Sequence, residues 1–206
     1  MTLLAVDTAS RRHALCVLAS DAGALLAEQR LEGRHLDRGL PGALAALLAQ
    51  GRPAGVAAVL GPGSYTGLRV GIGAALGLAH AGDLPLFGIG ALDVVARAAP
   101  HDAERIEAVA DAGRGALYVA RFRRAGDELR VADEPRRVET DGWHPAPDHV
   151  SVSFDEVAGA LCCQAQAAAA LALSAAVAAR GTPLPRAGLE PVYLGGEGSA
   201  LQGPRV

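Results

Sequence analysis

Residues 58–78, AVLGPGSYTGLRVGIGAALGL, constrain the fold more than any other stretch. A short apolar run, Gly55–Leu60, meets the breaker Gly61-Pro62-Gly63 and so reads as a buried strand that stops abruptly. Ser64 or Thr66 can cap the exposed amides of the helix that follows. That helix carries Gly67, Gly71, Gly73 and Gly77. Each glycine costs about 1 kcal/mol against alanine inside a helix, so four together cost about 4 kcal/mol, a large share of a domain's net stability. Close approach of another backbone offsets such a cost. The pairs Gly67/Gly71 and Gly73/Gly77 stack at i, i+4, which predicts a helix packed tightly on a sheet, on another helix, or on both.

A strand, a glycine loop and a helix N-terminus together make a ready anion site. The common phosphate motifs are nevertheless absent. Walker A needs a lysine, and this chain has none: all 19 basic side chains are arginine. The dinucleotide fingerprint needs G-x-G-x-x-G, whereas the spacing here is Gly61, Gly63, Gly67. A tight strand-to-helix turn and a phosphate loop both remain open for these residues.

Leu3–Val6, Ala14–Ala19 and Ala24–Leu31 read as a three-strand meander, with turns at Asp7–Arg12 and Ser20–Gly23. Leu36, Leu40, Leu44, Leu47 and Leu48 then recur at helical spacing, and Gly51 ends the run. After the glycine helix, Leu84–Phe87 reads as a strand and Ala91–Ala98 as a helix stopped by Pro100. A faint repeat follows. IEAVADAGRGALYVARF, from Ile106, can be laid beside LLAVDTASRRHALCVLA from Leu3, each reading strand, aspartate, small-residue turn, strand. Glu128–Ala132 matches the third strand, and Glu139–Asp148 reads as loop. Beyond it, Ser153 and Glu156 have capping-box spacing for a long helix; alternatively His149–Phe154 is a strand and the helix starts near Gln164. The tail from Gly195 shows no periodicity. The pattern predicts an α/β chain of two related lobes, divided as residues 1–99 and 100–206, the second a reduced copy.

The formal net charge of −3 excludes a chain that binds nucleic acid through its overall field. Arg121, Arg123, Arg124, Arg136 and Arg137 form a local basic run, read either as a solvated strand face or as an RNA contact. Three cysteines, with Cys162 and Cys163 adjacent, suit a reducing cytoplasm. Asp7 inside the first apolar run argues against a signal peptide. Ala165–Ala179 is too short to span a bilayer. The six histidines form no H-x-x-x-H pair, so no metal site is predicted. Gly-Pro-Gly-Ser-Tyr lacks the G-x-S-x-G nucleophile elbow. No residue is assigned a catalytic role.

GPGSYTGLRVG closely resembles the signature of the bacterial TsaB family, also called YeaZ. LLAVDTAS resembles that family's opening strand and Asp-Thr turn, GRHLDRGLPGALAALL its first interface helix, and EPVYLGG its closing motif, although Gly195 stands where Arg is usual. The likeness is clear over 1–122 and poor over 123–185. It implies two ribonuclease-H-like lobes of the actin, sugar-kinase and Hsp70 superfamily. It further implies a cytoplasmic, non-catalytic subunit that pairs with TsaD and is joined by the P-loop ATPase TsaE. That complex forms threonylcarbamoyladenosine beside the anticodon of ANN-decoding tRNAs. On this likeness tRNA is met only through the complex, no cofactor is assigned to this chain, and ATP and Mg²⁺ belong to the complex.

The family motif and possible phosphate loop comprise Asp7, Thr8, Gly61, Gly63, Ser64, Thr66 and Gly67, with Asp111 in the equivalent place of the second lobe. Asp7 and Asp111 either face one cleft and hold Mg²⁺ through water or accept hydrogen bonds from their own turns. The expected partner surface is Leu36, Leu40, Leu44 and Leu47 on one helix and Arg69, Ile72, Leu76 and His80 on the other. It would serve TsaD, or a second copy of the chain when alone; burial against the chain's own sheet is the competing reading. The runner-up function is an ATP-dependent transferase or kinase of the same superfamily.

Overall fold

The computed structural model describes residues 1–32, 36–126, 128–185 and 189–194. Two five-stranded sheets carry one topology twice. In the first, β1 (Thr2–Asp7), β2 (His13–Ser20), β3 (Leu25–Glu32), β4 (Gly55–Gly61) and β5 (Leu86–Gly90) lie in the order β3-β2-β1-β4-β5. The meander is antiparallel, and β1, β4 and β5 run parallel. In the second, β6 (Arg105–Gly113), β7 (Ala116–Ala125), β8 (Glu128–Glu139), β9 (Val150–Ser153) and β10 (Leu161–Cys162) lie in the order β10-β9-β6-β7-β8 with the same directions.

Leu3–Val6 of β1 and all of β4 are apolar because both faces are covered. On one face lie α1 (Leu36–Leu48) and α2 (Tyr65–Gly82). On the other, α3 (Ala91–Arg97) and α4 (Ala167–Ala178) are sandwiched between the sheets, and one continuous core joins Leu3, Ala5 and Val59 to Ile106, Ala108 and Phe122. The helices cross over: α4, which follows the second sheet, packs mainly on β1, β2 and β5, while α3 packs mainly on β6. Alanine suits α4 because a helix covered on nearly all sides needs a small diameter. Leu184 and Val192 also return to the first sheet, where Leu184 N–H donates to Leu86 O and Val192 N–H to Leu60 O, both at 2.7 Å.

Three expectations shift. The fifth strand begins at Leu86 rather than Leu84, because Leu84 N–H still closes the end of α2 by donating to Ala79 O at 2.8 Å. The eighth strand runs on to Glu139, past Ala132 and into the stretch read as loop; it is an exposed edge, where polar residues and Pro135 are tolerated. Of the two readings beyond Asp148, the structure takes strand 150–153 and a helix entered through a 3₁₀ turn at Gln164–Gln166. The two-residue β10 had no sequence signal.

Candidate functional site

The Asp-Thr turn and the glycine loop fold onto each other. Asp7 ends β1, and its Oδ1 accepts from Ala9 N–H at 2.9 Å. Thr8 Oγ1 donates to Gly67 O at 2.7 Å. Ser64 N–H donates to Ala9 O at 2.7 Å, and Ser64 caps α2 by accepting Gly67 N–H at 3.3 Å. Glycine is required here by space. A Cβ on Gly67 or Gly71 would overlap Thr8, and one on Gly63 would come within 2.6 Å of Ala9 O. Thr66 stays exposed in the first turn. Gly61 precedes a cis bond to Pro62 and lies against Val192 of the returning segment. Burial pushes the Asp7 carboxyl above the ordinary range, against the opposite pull of the Ala9 amide and His13. The neighbouring Cys16 thiol is pushed up to about 12 by burial and by Asp7, so it is inert.

Asp111 repeats this turn in the second sheet. Its Oδ1 accepts Gly113 N–H at 2.6 Å, as Asp7 accepts from two residues on, and its own N–H donates to Asp155 Oδ2 at 3.2 Å. Arg12 Nη2 approaches Asp111 Oδ2 at 3.9 Å, and the Arg11 guanidinium lies over Gly113. Both carboxylates thus serve their own turns, as the second of the two readings has it. A nucleotide phosphate fits this loop poorly: the space against Gly63, Gly67 and Gly71 is filled by Thr8 and Ala9, and the Ser64 and Gly67 amides are engaged. Among the described residues no group of three or more His, Cys, Asp or Glu is placed to hold a metal ion. Among them, too, no helix is long and apolar enough to cross a membrane.

The expected partner residues divide. Leu40 (2% exposed), Leu44 and Leu47 are buried against Leu4, Val6, Cys16 and Leu18 of their own sheet. Ile72 (4% exposed) is likewise buried, with Val56, Ala58 and Leu60. These four are corrected from partner residues to core, because an amphipathic helix turns its large apolar side chains to the sheet beneath it. The Leu36 side chain lies outside the described residues. Arg69 and His80 are exposed, and Leu76 is half-buried.

The surface actually offered is made of small residues. On α1 it is Pro41, Gly42, Ala45, Ala46 and Ala49 just beyond the helix end; on α2 it is Gly73 and Gly77. Nothing lies within 4 Å of a Cβ built on Gly73 or Gly77, so the close approach expected of all four α2 glycines holds only for Gly67 and Gly71. The two helices touch side by side through Val70, Ala74 and Leu78, so their outer faces adjoin. The sequence signal for this face was the interleaved Gly and Ala positions, which the leucine periodicity overshadowed. At its edge Arg69 lies 3.8 Å over the Tyr65 ring, which stacks on Tyr193 at 5.2 Å. Beside them Arg69, Gly73, Leu76, Glu190 and Tyr193 surround a hollow of about 290 Å³.

The basic run also divides. Arg124 donates to the carbonyls of Ala96, Ala99 and Pro100 and closes the end of α3. Arg137 pairs with Glu139 at 2.7 Å. Arg121 bridges the buried Glu107 and Asp133, each at 3.1 Å. Arg123 and Arg136 are exposed, each without an ion-pair partner among the described residues.

Two sheets of one topology, each opening on a strand that leads into an aspartate turn, define a ribonuclease-H-like α/β fold carried twice. Residues 43–181 match the family model described as "TsaD: tRNA N6-adenosine threonylcarbamoyltransferase". The chain is 32% identical over 145 residues to the Escherichia coli tRNA threonylcarbamoyladenosine biosynthesis protein TsaB, a match covering 67% of this chain and 62% of that one. It therefore spans under two thirds of that relative's length. It is 30% identical over 171 residues to an uncharacterised Mycobacterium tuberculosis protein, covering 73% of this chain and 75% of that one. The solved structure of YeaZ from Pseudomonas aeruginosa shares the fold, with a TM-score of 0.73, 24% identity, and coverage of 94% of this chain and 99% of that one. The chain belongs to the TsaB (YeaZ) family.

Proposed function

We propose that this chain is a non-catalytic subunit of a cytoplasmic complex that makes threonylcarbamoyladenosine on tRNA. In this reading it supports a TsaD-type transferase by docking on it through the outer faces of α1 and α2. The observation that carries the reading is the adjoining strip of small residues Pro41, Gly42, Ala45, Ala46, Gly73 and Gly77, flanked on α2 by exposed Arg69 and His80. A surface of small residues lets a partner's helices approach closely and bury backbone and Cβ atoms with little side-chain ordering. The self-satisfied Asp7 and Asp111 turns and the filled glycine loop favour support over an independent ATP-dependent transferase. We also assign the unit boundary near residue 100, between the two sheets, and place a TsaE-type ATPase and a homodimer of the free chain within the same scheme, the homodimer using the same face.

The test is co-purification with the TsaD homologue of the same source, followed by tRNA modification with and without this chain. The expected result is complex formation and modification that depends on the chain. Gly73→Glu and Ala45→Glu should abolish both while leaving the free chain folded. Modification that proceeds equally without the chain overturns the reading.

A further inference from the structure

On the outer face of the second sheet, register places like charges side by side. Arg105 pairs with Arg123 across β6 and β7, and Arg123 pairs with Arg130 across β7 and β8. Residues directly opposite one another share a face, so three guanidiniums stand in a row across three strands. Strand spacing makes that row about 10 Å long. The next row is built the opposite way: Glu107, Arg121 and Asp133 alternate in sign and are bonded to one another. Like charges directly opposed destabilise a sheet, so the all-arginine row is a local cost that the fold does not need.

The row is only partly neutralised. Arg105 pairs with Asp148, and Arg130 pairs with Glu128 at 3.0 Å with both side chains largely exposed. The central Arg123 is exposed and has no ion-pair partner among the described residues. The arginines line a hollow of about 510 Å³ in which Val131 and Ala132 supply the apolar part of the lining. Two rows further along, beyond Glu107, Arg121 and Asp133, exposed Arg136 lies opposite Val119.

We propose that this row is a phosphate-backbone contact for RNA, with tRNA as its occupant; the choice of tRNA rests on the function proposed above. Evenly spaced planar guanidiniums suit successive phosphates, to which arginine donates in pairs. A protein partner of this size would want a mainly apolar centre, whereas this hollow is lined mostly by charged side chains, four arginines against Asp133 and Asp148, and nucleic-acid interfaces are wet and positively charged. The chain's net charge of −3 confines the attraction to this face.

The test uses the full chain, alone and in complex with the TsaD homologue, and an unmodified tRNA transcript. Arg123→Gln and the Arg123→Gln, Arg130→Gln double variant are compared with the parent and with Arg52→Gln, an exposed arginine far along the chain. Each lost phosphate contact should weaken binding about five- to eightfold at about 0.1 M salt and flatten the salt slope by about 0.7–0.9. Arg52→Gln should do neither. Thermal midpoints of the variants should hold or rise, since a like-charge neighbour is removed; a purely structural arginine would lower them. Unchanged affinity and slope in the double variant overturn the proposal, as does a parent that binds no tRNA in either state. Capture of polyglutamate in place of tRNA also overturns it and marks the row as an acidic-protein site. tRNA binding through these arginines by a chain that does not support modification would uphold this site and overturn the proposed function. Supported modification with the double variant at parental affinity would do the reverse.

Discussion

The two sheets share strand order and direction but not their outer covering. Over the first, the connections from β3 to β4 and from β4 to β5 are full helices, α1 and α2. Over the second, the matching connections are a loop with a 3₁₀ turn at Thr140–Gly142 and a short loop after β9. Trp143 does there what the leucines of α1 do on the first sheet, sealing Val109, Leu117 and Val119 from water. A loop seals only part of a sheet, and the rest of the outer face is left to charged side chains, the arginine row among them. Duplicated topology thus ends in a small-residue helical face on one side of the molecule and a polar open sheet on the other.

If one tryptophan replaces a helix as the cover, its loss should be the largest single-site effect. Trp143→Ala should cost about 3–5 kcal/mol, read as a fall in the denaturant midpoint. A cost under about 1 kcal/mol would mean the loop seals the second sheet by other contacts.

A smaller effect separates the two sides of α2. Gly71→Ala forces a methyl onto Thr8 and should cost about 1–3 kcal/mol. Gly77→Ala faces open space and should stabilise the free chain by up to about 1 kcal/mol through helix propensity. The same methyl should weaken docking if the outer face of α2 meets a partner closely. Equal effects of the two substitutions on thermal stability would erase the distinction between the inner and outer faces.

Desolvation of the Asp7 carboxyl should show in the pH dependence of stability. Asp7 is driven above its unfolded value of 3.8 by desolvation. A carboxyl whose folded pKa is raised binds its proton more tightly when folded, so its contribution is full below the unfolded value and is lost as pH rises through the folded one. Asp7→Asn should keep the bond from Ala9 N–H and gain stability relative to the parent across that rise. Denaturant midpoints of parent and variant followed from acid to neutral pH give the check. A difference that shrinks with rising pH would reverse the sign and show that the ionised form is the better fit. Asp93, buried beside Arg97, shifts the same way and is present in both proteins, so it cancels.

Much of this division was legible in the residues, and the misses have physical causes. Apolar runs bounded by glycine and aspartate located most of the strands, since a sheet covered on both faces demands unbroken hydrophobicity. The repeat from Ile106 was readable because Asp111 must satisfy its turn as Asp7 does. The length of β8 was not, because an edge strand facing water carries no apolar period. The leucines of α1 were read as surface because leucine spacing reveals that α1 is amphipathic without saying what lies under it. Leu40, Leu44 and Leu47 went to the chain's own sheet, and the outer side was left to alanine and glycine. The basic run included Arg123, but its row with Arg105 and Arg130 exists only once three strands are set in register.

The smallest expected effect tests whether the two halves are joined electrostatically at their equivalent turns. Arg12 and Asp111 approach at 3.9 Å, with side chains 69% and 30% exposed. At that distance and exposure, water and salt screen the attraction, and two side chains must be ordered to hold it. Arg12→Gln should therefore change stability by less than about 0.5 kcal/mol, and less still at high salt. The shared core explains why so little is needed. Continuous apolar packing from Leu3 and Val59 to Ile106 and Phe122 already ties the sheets, with α3 and α4 each lying on the sheet it does not follow. Burial on that scale outweighs one exposed ion pair by an order of magnitude. A measured cost above about 2 kcal/mol would instead make the Arg12–Asp111 contact a latch between the turns, far beyond what an exposed pair contributes. The sheets would then be coupled through their aspartate turns as well as through the core.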